Sequence, residues 1–212
     1  GPNFKNNLKL IEKNQEFIDS YFITTHPDVV KTSIPKNKIS FIPIPADPNI
    51  ENLKIYEKKN RFKDLFFALS HGVNYGTLRK KNMDERNVFA ASLIKRNKNN
   101  NYHFLGINEE QPKWNYDYYK ELLKCKMALN LSRGNPLKYA SSNRISTLMA
   151  NGIMTFIDIK TKYNHFFDDG EIGFYKDIDD LHNKIENIKG NVNLINKISK
   201  NGKKKYFQIF NN

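Results

Sequence analysis

An α/β fold, with a parallel sheet covered by helices on both faces, is the architecture this sequence predicts. Three observations carry it. Between residues 62 and 190, short apolar runs alternate with amphipathic stretches of helical period. The apolar runs are continuous rather than alternating, as strands buried on both faces must be. The segment 127–158 reads as strand, polar loop, helix, strand, the repeating unit of such a sheet.

Along the chain, residues 3–18 are polar and charged, with Leu8, Ile11 and Phe17 as apolar anchors, and predict a helix. Residues 19–24 predict a short strand, 25–28 a turn, 29–31 a brief helix and 38–43 a second strand. Ile44-Pro45-Ala46-Asp47-Pro48 is punctuated by proline and fits neither a helix nor a central strand. A domain boundary is therefore expected near Pro48, followed by a charged linker with some helix over 49–61. The regular alternation then begins. Strands are expected at 64–69, 102–106, 127–131, 153–157 and 171–175. The helix over 78–96 is expected to bury Leu78, Val88, Ala91 and Leu93. Further helices are expected at 116–124 and at 145–150, the latter closed by Asn151-Gly152. The helix at 177–188 opens with Asp177, Asp179 and Asp180, which suit the positive end of its dipole. A last helix covers 191–210. Residues 163–167 read as a short turn or helix, and Asp168-Asp169-Gly170-Glu171 as a turn without the spacing of a calcium loop.

Composition narrows the classes of function. The 212 residues carry 35 − 22 = +13 charges, with a pI near 9.6. That excess points to an anionic partner, whether phosphorylated ligand, anionic membrane or nucleic acid; a solvated lysine-rich surface is the competing reading. Cys125 is the single cysteine, so a reducing, cytoplasmic compartment is expected. No apolar run reaches the roughly 18 residues of a membrane span. No signal peptide is expected, and Gly1-Pro2 reads as a protease-cleavage remnant.

The chemistry concentrates in the loop over 132–144. It carries Arg133, Lys138 and Arg144, with the hydroxyls of Ser132, Ser141 and Ser142. It lies after a strand and before a helix N-terminus, where open parallel sheets bind ligands and free backbone N–H groups favour anions. A phosphate or diphosphate is the expected occupant. The first and third strands of this unit are expected to be neighbours, so the loop over 70–77 would flank the same cleft. That loop holds Gly72 and Gly76, and its His71 is either a ligand contact or a merely exposed side chain. The dinucleotide fingerprint and the P-loop are both absent. No nucleophile elbow is present, and Cys125 is expected to be buried. His26, His103, His165 and His182 have no metal-ligand spacing with any carboxylate or cysteine. Tyr116, Tyr118 and Tyr119 are expected to pack a helix onto the sheet.

From Asn130 through Ser132, Arg133, Gly134, Lys138, Tyr139, Ala140, Ser141 and Arg144 to Ala150, Gly152 and Asp158, the sequence resembles glycosyltransferases of the GT-B fold. It is most similar to the donor-binding, carboxyl-terminal half of bacterial spore-coat-type sugar transferases. The resemblance implies a Rossmann-like donor domain over 49–190. Residues 1–48 would be the tail of an amino-terminal acceptor domain, and 191–212 a helix crossing back toward it. It implies a nucleotide-sugar donor, a saccharide, lipid or protein acceptor and no bound metal or other cofactor; peripheral contact with an anionic membrane is an expectation from the basic surface. Arg133 and Lys138 would stabilise the leaving diphosphate, with Arg144 next. His71, Gly72, Tyr75, Gly76, Ser132, Gly134, Tyr139, Ser141, Ser142, Asn143 and Thr147 would line the donor site, with Tyr75 and Tyr139 stacking on base or sugar. Thr147 stands where the family carries a ribose-binding glutamate. Two rival readings remain: a polyanion-binding module using the +13 charge, though without a nucleic-acid motif, and a non-catalytic sugar-binding domain, for which Thr147 argues.

Overall fold

The computed structural model describes residues 4–70, 84–96, 101–107 and 110–210. Helix α1 (Phe4–Lys13) leads into two short strands, β1 (Tyr21–Ile23) and β2 (Ile39–Phe41), paired in parallel with Tyr21 opposite Ile39. The expected helix at 29–31 is instead a single tight turn, Pro27–Val29. Proline at its first position has φ preset, and the His26 ring accepts the Asp28 N–H, so the turn starts earlier and ends at Val30. The linker contributes one turn, Ile55–Glu57, whose Ile55 is fully buried.

The main sheet has five parallel strands: β3 (Lys63–Ala68), β4 (Tyr102–Leu105), β5 (Cys125–Asn130), β6 (Met154–Asp158) and β7 (Gly173–Tyr175). Their spatial order is β4-β3-β5-β6-β7. The direction of winding reverses between β3 and β5, where Leu65 lies opposite Met127. That makes the fork between these two strands the topological switch point.

Alternate residues of each strand feed opposite layers. Leu65, Phe67, Met127, Leu129 and Phe156 pack under α2 (Glu85–Arg96), α5 (Ile178–Ile188) and the first half of α6 (Val192–Phe210). Phe66 and Ala128 face the other way, toward Leu122 of α3 (Asn115–Leu122) and Leu148 of α4 (Asn143–Ala150). Tyr118 meets Phe66 edge-on at 5.3 Å, as expected of a packing aromatic, whereas Tyr116 is exposed. Cys125 is fully buried, and that burial drives its thiol pKa upward. Within α2, Ala90 and Leu93 are the buried residues. Val88 is 52% exposed, against expectation, because the buried stripe runs through positions 90 and 93 and leaves 88 on the outer side. Ala91, also expected to be buried, is only partly so. The helix starts at Glu85, and residues 71–83, which hold Leu78 and the expected loop contacts, lie outside the described residues.

The nineteen-residue α6 fastens the layers together. Its Lys203 ammonium donates to the carbonyls of Glu51, at 2.8 Å, and Ala150. At Gly202 a Cβ would stand 2.2 Å from the Glu171 carbonyl oxygen, so the helix can approach β7's leading loop only with glycine there. The amino-terminal unit is stitched to the loop between β5 and α4. Ser141 donates its N–H to Thr24 at 2.8 Å and accepts the Ile44 N–H on Oγ at 2.9 Å. Ser146 Oγ donates to the Pro45 carbonyl at 2.8 Å, and the Tyr206 hydroxyl to that of Ile44 at 2.6 Å.

Candidate functional site

The site grows from the end of β5. After Asn130 the chain turns out of the sheet, passes through a loop over 131–142 and enters α4, whose N-cap is Ser142 with its Oγ accepting the Ile145 N–H. A serine in extended conformation at this position satisfies one of the orphan donors and starts the helix here. Gly134, at φ +67°, turns the loop, and its N–H donates to Glu85 at the start of α2.

Arg144, in the first turn of α4, reaches back into the fork. Its guanidinium donates from Nη1 to the Leu131 carbonyl at 2.9 Å and from Nη2 to the Ala68 carbonyl at 3.0 Å. It also lies 5.1 Å from the Phe67 ring centroid. One arginine thus joins the carboxyl ends of β3 and β5 at the switch point. Burial lowers its pKa to about 10, and the nearby positive charge of Arg86 adds to the effect. Arg86 belongs to α2 and is held by Asp84, which is fully buried. Nε donates to Oδ1 at 3.0 Å and Nη2 to Oδ2 at 2.7 Å, while the Arg86 N–H also donates to Oδ1 at 2.9 Å. This two-pronged bond fixes the plane of the guanidinium.

Two hollows open on either side of Arg144. The first, about 260 Å³, is lined by Arg86, Asn130, Ser132, Arg133, Ser142 and Arg144, among others. It combines three guanidinium groups, hydroxyls and the start of α4, a concentration of positive potential suited to phosphate oxygens. Asn130 is 4% exposed, and its Oδ1 has no hydrogen-bond partner among the described residues. The fold therefore leaves this oxygen unpaired, although an unmet buried polar group costs about 1–3 kcal/mol. The second hollow, about 210 Å³, is lined by Ser70, Trp114, Tyr118, Asn143, Arg144 and Thr147, among others. Its Trp114 is 55% exposed. A further hollow, about 390 Å³, lies farther along the sheet near Asp168 and Lys176 and has none of the loop's cations in its lining.

The described residues expected at the site divide into four groups, one of them Gly134 alone, which lines an adjoining hollow. Ser132, Arg133, Ser141, Ser142 and Arg144 line one hollow. Asn143 and Thr147 line the other. Lys138 and Tyr139 line neither: the Lys138 ammonium is 5.2 Å from the Tyr139 ring centroid, and its charge contributes to lowering the Asp28 pKa, mainly set by Lys36. Tyr139 takes φ +59° and donates its N–H to the Thr161 carbonyl at 2.7 Å. Its ring packs among His26, Phe41, His165 and Phe166, and its hydroxyl is 2.8 Å from His165 Nδ1. Those protein rings occupy the ring on which a base or sugar was expected to stack. His71, Gly72, Tyr75 and Gly76 lie outside the described residues. Arg86 and Trp114 were missed from sequence. The signal for Arg86 was a cap-forming Asp84 two residues earlier, hidden by reading the helix as starting at 78.

Residues 79–211 match the protein-family profile described as "Glycosyl transferase-like". No curated protein matches by sequence. Among solved structures, TarM superposes with a TM-score of 0.62 at 16% identity, covering 98% of this chain and 44% of that one. HepE from Anabaena, solved with UDP, gives 0.64 at 12%, covering 99% and 65%. Sucrose-phosphate synthase from Thermosynechococcus elongatus gives 0.60 at 12%, covering 97% and 58%. A TarM mutant from S. aureus was solved with fondaparinux, α-GlcNAc-glycerol and UDP. The chain spans between 44% and 65% of the length of these structures. Their likeness establishes the GT-B-type, Rossmann-like fold of the five-stranded unit.

Proposed function

This chain belongs to the glycosyl transferase-like family, and from that membership we propose that it binds a nucleotide sugar across the fork of β3 and β5. The diphosphate takes the hollow of Arg86, Arg133 and Arg144, and the nucleoside takes the hollow of Trp114 and Thr147. In the complete protein the glycosyl unit passes to a hydroxyl of a saccharide, lipid or protein. The bond from the anomeric carbon to the diphosphate oxygen breaks, and the leaving oxygen keeps the electron pair. Charge develops on that oxygen in the transition state, where fixed cations stabilise it most.

The observation that carries this reading is the convergence of three arginines and the α4 N-terminus on one hollow at the switch point. Such a set supplies the positive charge that a divalent ion would otherwise bring, so we propose transfer without a metal. Thr147 lines the nucleoside hollow as a hydroxyl and not a carboxylate, which gives a weaker grip on the ribose diol. Uridine diphosphate is the first probe to try, since the HepE and TarM structures carry it.

A thermal-shift screen with UDP, GDP, ADP and dTDP, with and without magnesium, tests the reading. Stabilisation by at least one diphosphate without the metal is expected. No shift with any of them contradicts it.

A further inference from the structure

A third hollow, about 210 Å³, adjoins the proposed diphosphate site and shares Arg86, Leu131 and Ser132 with it. Its remaining walls have the opposite character. Glu85 and Asp158 line it together with Phe89 and Tyr175, whose ring centroids are 6.1 Å apart. Glu85 accepts the Gly134 N–H, which ties this carboxylate to the loop that bears Arg133. Asp158 ends β6; its Oδ1 accepts the Lys160 N–H at 2.8 Å, and its Oδ2 makes no hydrogen bond among the described residues. Arg86, which lines both hollows, is paired with Asp84 at 2.7 Å.

We propose that this hollow receives the glycosyl unit of the donor and selects a neutral, hydroxyl-bearing sugar over a carboxylated one. The inference rests on the diphosphate reading above. A group joined to the terminal phosphate enters this space because the two hollows share a wall. Carboxylate oxygens accept hydrogen bonds from sugar hydroxyls, and the aromatic pair offers an apolar face to ring C–H groups. A further phosphate is repelled here, and so is a sugar acid, whose carboxylate would face two like charges in a partly desolvated space.

The test is calorimetric titration of the chain with UDP, UDP-glucose and UDP-glucuronate, for the unaltered protein and for Asp158→Asn. Asparagine keeps an oxygen to accept the Lys160 N–H and removes the charge. The unaltered chain is expected to bind UDP-glucose about tenfold or more tightly than UDP-glucuronate. In Asp158→Asn that ratio falls to about threefold or less, since one of the two repelling charges is gone. UDP itself reads the neighbouring hollow, and its affinity in the variant is expected within about twofold of the original. Should Asp158→Asn fail to fold, Glu85→Gln reads the same ratio, because its amide oxygen still accepts the Gly134 N–H. Equal affinity for the two sugars in the unaltered chain overturns the inference, as does a ratio that survives both substitutions. Absence of UDP binding to the unaltered chain overturns the diphosphate reading, and this inference with it.

Discussion

Asp84 grips Arg86 by two parallel hydrogen bonds of 3.0 and 2.7 Å, from a carboxylate with no solvent exposure. The same carboxylate caps α2 through the Arg86 N–H. One buried acid therefore starts a helix and aims a guanidinium at the proposed diphosphate site. Asp84→Asn keeps an acceptor for the cap but loses the charged fork. The expected result is a loss of about 3 kcal/mol or more in unfolding free energy, the scale for breaking a buried pair. Chemical denaturation measures it, and an unchanged midpoint and slope would show that the pair carries no such weight.

Arg144 bridges the carbonyls of Ala68 and Leu131, so its first role is to hold β3 to β5 where the sheet reverses. Arg144→Met retains a long apolar stem against Phe67 and strands both carbonyls. A destabilisation of about 2–4 kcal/mol follows from two lost charge-assisted bonds. Hydrogen exchange should quicken at the carboxyl ends of β3 and β5 before it does elsewhere. Uniform quickening over the whole sheet would argue against a local clamp.

Trp114 is the one large exposed aromatic lining the hollow of Thr147 among the described residues. Stacking of a base on an aromatic ring is worth about 1–3 kcal/mol. Trp114→Ala should therefore weaken a nucleoside diphosphate about fivefold or more and leave inorganic pyrophosphate unaffected. Equal losses for both ligands would place the tryptophan outside the nucleoside contact.

Glu12 anchors α1 to the following loop, accepting the Thr32 hydroxyl at 2.7 Å and the Ser33 N–H at 2.9 Å. These bonds, the Thr32 hydroxyl first, hold its carboxyl below the usual value of 4.5. A lowered acid contributes stability that is complete above 4.5 and is lost as pH falls through the folded-state value. Amide protection in α1 should therefore drop on acidification below about pH 4.5, once corrected for the intrinsic exchange rate. In Glu12→Gln the drop should disappear; if it persists, another group is responsible.

Much of the sheet was legible because buried parallel strands leave continuous apolar runs: Leu65-Phe66-Phe67 and Met127-Ala128-Leu129 each serve two layers. The switch-point loop was legible because its cations are local in sequence. What was not legible depends on partners distant in sequence. Tyr139 looked available, yet His26, Phe41, His165 and Phe166 surround it. Arg144 looked like a free cation, yet the carbonyl of Ala68 claims one of its donors across 76 positions. Arg86 drew no reading from the sequence, because only the placement of α2 over the fork brings it to the hollow. Asp158 looked like the end of a strand, and the turn of β7 beside it makes it a wall.

The central claim is that an anionic diphosphate lies between Arg133, Arg144 and Arg86. Lys138 lines neither hollow beside Arg144 and sits over Tyr139, so the account separates the two residues that sequence placed together. Isothermal titration of UDP into the unaltered chain, Arg133→Ala and Lys138→Ala measures this directly. The account predicts a loss of about tenfold or more for Arg133→Ala, the scale of one charge-assisted bond, and less than about threefold for Lys138→Ala, the scale of a screened surface charge. Unchanged affinity in Arg133→Ala, or a larger loss at Lys138 than at Arg133, would contradict it.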